Sequence, residues 1–256
     1  MSGAIAMAGM ATLRSGAGLV RLAVPDVCLD VVATYDPCYM TTPLPSDREG
    51  RLAVTGVSAV SQLTDGATCI ACGPGLGQSE GLKKFVRELY DTVSRPMVFD
   101  ADALNAIASS NQPPPKPPAS RILTPHPGEF RRLIADGDSD CPADELAERG
   151  IELARQWNVV LVLKGSRTLV TDGERVTRNT TGNPGMATGG SGDVLTGVIT
   201  ALVCQGLSAF DAAQLGVHVH GLAGDLAAQQ LGEVAMTARD LVSCLPNAFQ
   251  QIQASR

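Results

Sequence analysis

The sequence predicts an α/β fold: a mainly parallel central sheet covered by helices on both faces, with an antiparallel hairpin at one edge. Three observations carry that expectation. Short apolar runs alternate with amphipathic helical segments, as right-handed crossovers between parallel strands require. Hydrophobic residues make up 44% of the 256 and aromatics only 4%, which suits helices lying close on a sheet buried on both sides. Finally, Asp172-Gly173 stands between two alternating stretches in TLVTDGERVTRN, a pattern that reads as two short strands around a two-residue turn.

Taken in order, the chain opens on MSGAIAMAGMATLRSGAG, apolar and helix-like but without the basic start of a secretory signal. ATCIACGPGLG reads as a buried strand and a glycine turn, and GLKKFVRELYDTV as an amphipathic helix. PMVFDADALNAIA and RILTPHPGEFRRLI each read as a strand running into a helix. CPADELAERGIELARQW is a long helix with Pro142 near its start and acids in its first turn. VVLVLKG is a strand, the hairpin follows, and helices over roughly 191–205, 209–230 and 238–252 finish the chain. The proline-rich stretch NQPPPKPPAS at 111–120 is too short to link domains and reads as a rigid exposed loop. With no internal repeat, residues 1–256 are expected to form one domain.

The net charge of −6 and pI near 5.1 argue against general nucleic-acid binding. Backbone amides can still bind a small anion on an acidic protein. No apolar run reaches the length needed to span a membrane. Seven cysteines, at 28, 38, 69, 72, 141, 204 and 244, include no second CxxC or CxxH cluster to complete a zinc site. Cys69 and Cys72 lie in a strand-like run that would point their sulfurs apart, so buried structural thiols are expected rather than a redox pair. The odd cysteine count suggests a reducing cytoplasm.

Ligands of open α/β sheets collect beyond the carboxyl ends of the strands. Here the turns GPGLG, DAD, TPHPGE and KGSRT fall at those ends and can converge on one cleft. A further turn, Gly189-Gly190-Ser191-Gly192-Asp193, precedes the stripe Val194, Val198, Ala201 and Leu202. It lacks the lysine of a Walker loop and the third glycine of a dinucleotide fingerprint. Gly197 permits close approach of this helix to the sheet. The helix starts near Gly190–Asp193, where the first amides have no intrahelical acceptor and the dipole is positive. Those amides can hold phosphoryl oxygens. Asp193 is then either a stabilising helix-start carboxylate or a base that takes the proton of an attacking hydroxyl.

Several stretches, quoted in chain order, extend the comparison: SGAIAMAGMATLRSGAGLV, GPGLG, VFDADALNAIA, ILTPHPGEFRRL, VVLVLKGSRT, NTTGNPGMATGGSGDVLTGVITAL and GVHVHGLAGD. On these the sequence resembles the ribokinase-like superfamily, and within it the ADP/ATP-dependent NAD(P)H-hydrate dehydratases. The resemblance implies a ribokinase-like three-layer α/β/α sandwich. It also implies repair of the C6 hydrate of NADH or NADPH by phosphorylation of the C6 hydroxyl and elimination of phosphate. Asp193 would be the catalytic aspartate, with Gly189, Gly190, Ser191 and Gly192 the anion hole and Gly192 also near the nucleotide. Lys164, Gly165, Ser166, Arg167 and Thr168 would contact the adenine nucleotide; Lys164 and Arg167 could equally mark an exposed hairpin entrance. Ala4, Gly75, Gly77, His126 and Asp193 would contact substrate, although His126 could simply bond its own turn. Glu129 would hold Mg2+ through water, or serve only the first turn of its helix. Asp100, Asp102 and Asn105 would floor the cleft or cap a helix.

His218 and His220 point to different faces of one helix, which fits packing better than a metal pair. The resemblance further implies ADP or ATP as co-substrate, with ADP the expected choice, a homotetramer, and pairing with a hydrate epimerase; nucleic acid and membrane are not expected partners. Two departures stand out. A strand that the family places before the first helix would have to precede Met1, and its loss would take a central or near-central member from the sheet. Cys38 in YDPCYMTTPL stands where an acidic residue is expected. A vitamin or sugar kinase on the same scaffold is the alternative activity, and a nucleotide-binding protein without catalysis a third reading.

Overall fold

Between Ala67 and Arg178 the chain runs back and forth through six strands, and their order in space is their order in sequence. The computed structural model describes residues 1–53, 55, 60, 63–110, 113–135 and 142–254. Cys141 and the first two residues of the proline-rich loop fall outside them. The strands are β3 (Ile70–Cys72), β4 (Met97–Phe99), β5 (Arg121–Leu123), β6 (Val160–Leu163), β7 (Leu169–Thr171) and β8 (Val176–Arg178). β3 to β6 pair in parallel, and β6–β7 and β7–β8 pair antiparallel. The ladder from β3 to β8 is continuous.

Each parallel crossover carries a helix: α3 (Glu80–Thr92), α4 (Asp102–Ala108), then α5 (Pro127–Leu133) and α6 (Ala143–Trp157). They share one face of the sheet, where Phe85, Leu89, Phe99, Phe130, Leu153 and Leu161 form a core. The opposite face receives α1 (Ser2–Arg14), α7 (Ser191–Cys204), α8 (Ala209–Leu231) and α9 (Ala238–Ala254). There Val98, Ile122, Val162 and Val170 meet Val194, Val198, Ile199, Leu241 and Leu245. Successive strand residues point to opposite faces, so Val98 joins one core and its neighbour Phe99 the other. The result is the expected three-layer α/β/α sandwich.

Two local expectations are corrected. The hairpin pairs Thr171 with Val176, and Asp172 donates its N–H to the Arg175 carbonyl at 3.4 Å. The turn is therefore centred on Gly173-Glu174, one residue later than Asp172-Gly173. Gly173 takes φ +92 there, and a Cβ would lie 2.6 Å from the Arg155 backbone. Gly197 serves a helix–helix approach rather than helix on sheet: its missing Cβ would overlap the Ala8 carbonyl of α1 and lie 2.8 Å from Ala11 Cβ.

The sequence reading also left out a small unit, in which β1 (Arg21–Pro25) and β2 (Met40–Leu44) pair in parallel with α2 (Leu29–Ala33) between them. Its own apolar cluster is Val20, Leu22, Val24, Val32 and Tyr39. Cys38 is exposed beside it, and its backbone N–H bonds the Asp36 carboxylate at 2.8 Å. Cys72 is buried, and burial pushes its thiol up to about 12. The neighbouring Cys204 thiol at the end of α7, with burial, pushes the Cys69 thiol well up, so Cys69 faces Cys204 rather than Cys72.

Candidate active site

The carboxyl ends of β3, β4, β5 and β6 lie side by side, and each delivers one of the unusual turns. After β4, Ala101 takes φ +50, a sparsely populated conformation for a residue with a Cβ and of the kind that collects at functional sites. It turns Asp100 inward and Asp102 the other way. Asp100 is 1% exposed and accepts from Lys164 Nζ at 2.7 Å and from Thr196 Oγ at 2.8 Å. Asp102 accepts from the Gly77 amide at 2.7 Å and so latches the GPGLG turn. Gly73 and Gly75 have positive φ, and a side chain at either would overlap backbone, that of Asp100 and of Met1 respectively. Asn105 is elsewhere, accepting from Arg132 Nε at 2.7 Å. Of the three residues, one floors the site, one braces a turn and one serves a surface pair.

Lys164 follows β6, and its N–H bonds the Pro125 carbonyl at 2.8 Å. Its ammonium does not stand at an exposed entrance. It reaches inward between Asp100 and Glu129, whose Oε2 is 3.8 Å away. Two anions around one cation compensate each other in a partly buried place. Gly165, Ser166 and Arg167 are the exposed part of the segment, with Arg167 at φ +63. Thr168 closes the turn by donating its hydroxyl to the Gly165 carbonyl at 3.0 Å.

His126 and Glu129 form a reciprocal cap on α5. The His126 Nδ1 accepts from the amides of Gly128 and Glu129 at 3.1 and 3.3 Å, and Glu129 Oε2 accepts from the His126 amide at 2.9 Å. An accepting Nδ1 places the ring proton on Nε2, which lies 3.4 Å from Glu129 Oε1. Burial holds the imidazole below its ordinary pKa, against the pull of Glu129. Its side chain is still 52% exposed and can meet a ligand. Ala4 lies buried in α1, near where that helix meets Gly75.

Above this floor sits the start of α7. Gly190 takes φ +93 as its N-cap, and a Cβ there would meet Ala238 at 3.0 Å. The Ser191 amide, expected in the anion hole, is instead taken by Thr188 O, and the Val194 amide bonds Gly190 O. Among the described residues, the amides of Gly189, Gly190, Gly192 and Asp193 meet no acceptor. They stand at the positive end of a helix. A Cβ on Gly192 would come within 3.3 Å of Lys164 Nζ and 3.7 Å of Asp100 Oδ2, so the turn lies directly against the charged floor. Gly189 is exposed, with open space where a Cβ would go.

Asp193 is half-buried, and no protein donor reaches its carboxylate among the described residues. Burial, with the negative charge of Asp100, pushes it up to about 6, against the pull of Lys164. A carboxylate so poised can take a proton near neutral pH. The arrangement thus offers free amides for an oxyanion, an inward cation, and a base without a partner.

One residue of this corner, His220, was expected only as a packing residue. His220 of α8 is buried under the turn, with Nε2 2.9 Å from the Ser191 carbonyl oxygen. Only its place in GVHVHGLAGD, behind the GGSGD turn, could have pointed to it. A pocket of ≈ 440 Å³ opens nearby, between Thr177–Thr180 at the sheet edge and Gln214, Leu215, Val217 and His218 of α8. Its rim joins the KGSRT segment through the Asn179 amide, which bonds Thr168 O at 2.9 Å.

Comparison with known proteins agrees with this geometry. Residues 1–247 match a family model described as NAD(P)H-hydrate dehydratase. The chain is 42% identical over 255 residues to the bifunctional NAD(P)H-hydrate repair enzyme Nnr of Moorella thermoacetica, covering 99% of this chain and 48% of that protein. It therefore spans about half the length of the curated relatives it matches. The ADP/ATP-dependent NAD(P)H-hydrate dehydratase of Bacillus subtilis, co-crystallised with ATP/Mg2+, superposes with a TM-score of 0.80 at 29% identity, over 98% of this chain and 85% of that one. A ribokinase-like superfamily protein from Enterococcus faecalis superposes with a TM-score of 0.79 at 24% identity, over 97% and 82%, a likeness of fold.

Proposed function

The chain belongs to the NAD(P)H-hydrate dehydratase family, and on that premise we propose that it uses ADP or ATP to dehydrate the hydrates of NADH and NADPH. The hydrate carries a hydroxyl on C6 of the reduced nicotinamide ring. Hydroxide leaves poorly, whereas a phosphate ester leaves well. Asp193 takes the proton of that hydroxyl while its oxygen attacks the terminal phosphoryl group of the nucleotide. The amides of Gly189, Gly190, Gly192 and Asp193 hold the phosphoryl oxygens as charge develops on them. The ring nitrogen then expels phosphate, and loss of a C5 proton restores the dihydronicotinamide.

The observation that carries this reading is the pairing of unsatisfied amides with an unpartnered carboxylate raised to about 6. Lys164 and Arg167 neutralise nucleotide phosphates along Gly165–Thr168, and the nucleoside extends toward the pocket at Asn179 and His218. Gly77 and His126 line the hydrate's side, while Gly75 is packed against the Met1 backbone and Ala4 is buried in α1.

No three His, Cys, Asp or Glu side chains cluster as a metal cage among the described residues. Mg2+ keeps much of its water and needs only one or two carboxylates besides the substrate phosphates; Glu129, beside the charged floor, is the carboxylate this reading gives it. Glu129 would hold it through water, and the ion would supply charge neutralisation on the phosphates.

The same reading takes residues 1–256 as one dehydratase unit that assembles as a homotetramer in the cytoplasm, alongside a hydrate epimerase. No described helix is long and apolar enough to cross a membrane.

The test is an absorbance assay of purified hydrate with Mg2+ and either ADP or ATP. Nucleotide-dependent recovery of the dihydronicotinamide band is expected. No recovery with either nucleotide overturns the proposal, and a stable phosphorylated alcohol would instead indicate a kinase.

A further inference from the structure

The loop that leads into the GGSGD turn owes its position to α8. Thr181 donates its hydroxyl to the His218 carbonyl at 2.9 Å, and Asp225 accepts from the Gly182 amide at 2.9 Å and from Asn183 Nδ2 at 3.0 Å. Between these bonds, Gly221 and Gly224 leave room where a Cβ would overlap Thr181 Oγ and Met186 Sδ. Gly185 is seated against Glu233, whose carbonyl oxygen would lie 2.5 Å from a Cβ. The near end of the loop is thus fixed by α8, and the far end by the buried body of α7.

Where the two meet is the first turn of α7. Ser191 sits between Gly190 and Gly192, and glycine restricts its own torsions least. His220 acts at this point. A carbonyl oxygen only accepts, so the 2.9 Å contact fixes the proton on Nε2, donating to Ser191 O. The Ser191 hydroxyl oxygen lies 3.4 Å from the same nitrogen. The carbonyl of Ser191 and the N–H of Gly192 belong to one planar trans peptide and point in opposite directions. A bond that holds the carbonyl down on the His220 ring aims the Gly192 amide up and away from it. That amide is one of the unsatisfied donors of the turn.

We propose that His220 is a positioning residue, which aims the Gly192 amide at the transferred phosphoryl group by holding the opposite edge of the Ser191–Gly192 peptide. The proposal rests on the dehydratase reading of the turn. His220 never meets the substrate and moves no proton. Its burial, 8% exposed, keeps the ring neutral, which leaves the single donor in place across the working pH range.

The test uses the full chain with His220→Leu, which removes the donor, and His220→Gln, whose amide can restore it. Turnover of NADH hydrate with Mg2+ and ADP or ATP is read together with the order parameter of the Gly192 N–H from NMR relaxation. For His220→Leu, kcat is expected to fall on the order of tenfold to a hundredfold through misaimed geometry, with KM for the hydrate within about twofold. The order parameter of the Gly192 N–H falls, and the loss in kcat is the same at pH 6.5 and 8.5. His220→Gln recovers most of both.

Unchanged kcat in His220→Leu overturns the proposal. So does a fall that His220→Gln does not repair, or one in which KM rises in step. If the wild-type chain turns over no hydrate, the dehydratase reading fails by itself. The Gly192 order parameter then still decides whether His220 holds that peptide: a lower value in His220→Leu upholds the clamp, and an unchanged value overturns it.

Discussion

Two polar corners meet at the mouth of this sheet, and they differ in how their bonds are used. In the floor, Asp100 accepts from Lys164 and Thr196, Lys164 also faces Glu129, and Glu129 and His126 cap the same helix from both sides. In the roof, four amides and the Asp193 carboxylate have no protein partner among the described residues. The floor is folded chemistry, already compensated. The roof is chemistry held ready for something the chain does not contain. The first amides of any helix lack intrahelical acceptors; here they lie against a charged floor and beside an unpartnered carboxylate, which is a place for an anion to complete the structure. A charge count would have ranked the corners the other way round, since the floor has more ionisable groups.

The comparison breaks most sharply at Asp193. Asp193→Asn removes the base and leaves the amides, so kcat should fall about a thousandfold, within the range of general-base catalysis. Nucleotide affinity by calorimetry should stay within a few-fold. An active variant would return Asp193 to the role of a helix-start carboxylate.

Asp100→Asn attacks the floor instead. It strands the Lys164 ammonium beside a neutral amide, with only Glu129 left to compensate it. Breaking a largely buried pair in this way should cost roughly 2–4 kcal/mol in denaturant unfolding. It should also shift the acid limb of kcat/KM below its wild-type midpoint near pH 6, because the charge that helps raise Asp193 is gone. A stability loss with an unmoved limb would separate the two corners electrostatically.

Gly192→Ala probes where they touch. The new methyl would press on Lys164 Nζ at 3.3 Å, the movable end of a long side chain. Folding should therefore change little, and kcat should drop roughly tenfold to a hundredfold as the amide is displaced. A drop of the same size in thermal stability alone would mean that the contact matters to the fold and not to the reaction.

How much of this was legible in the sequence follows the same division. Hydrophobic period and turn residues gave the strand–helix alternation, the hairpin and the three last helices, because those signals are local. The hairpin turn missed by one residue because Gly173, which alone accepts the close pass of Arg155, sets the register from across the molecule. Lys164 read as a nucleotide-phosphate contact or, blandly, as an exposed entrance residue, because nothing near it in sequence shows that Asp100, sixty-four positions earlier, lies 2.7 Å away. Gly197 was right as a close-approach residue and wrong in its partner, since α1 lies nearly two hundred positions upstream. The β1–β2 unit was not read at all: its strands are short, and their own small cluster sets them apart from the main sheet. The roof was legible because its chemistry is contiguous from Gly189 to Asp193. The convergence of the four strand-end turns was legible as well, but the pairings of Lys164 with Asp100 and Glu129 were not, because they join residues far apart in sequence.

The smallest effect separates function from stability. The folded Asp193 carboxyl is raised to about 6 from an ordinary 3.8, mainly by burial and the charge of Asp100. The folded state therefore binds the proton more tightly than the unfolded chain does. This group's contribution to stability is fully present below about pH 4 and lost as pH rises through about 6. At pH 8 the native protein carries an uncompensated half-buried charge, and Asp193→Asn, which never ionises, does not. The variant should be more stable than wild type at pH 8 by on the order of 1 kcal/mol, with the group's partial exposure taken into account. The gap should close toward pH 4. Unfolding curves of the two proteins at both pH values measure it. An equal gap at both would trace the difference to amide packing, and a variant less stable at pH 8 would mean that the carboxylate is anchored by the protein and not held ready for substrate.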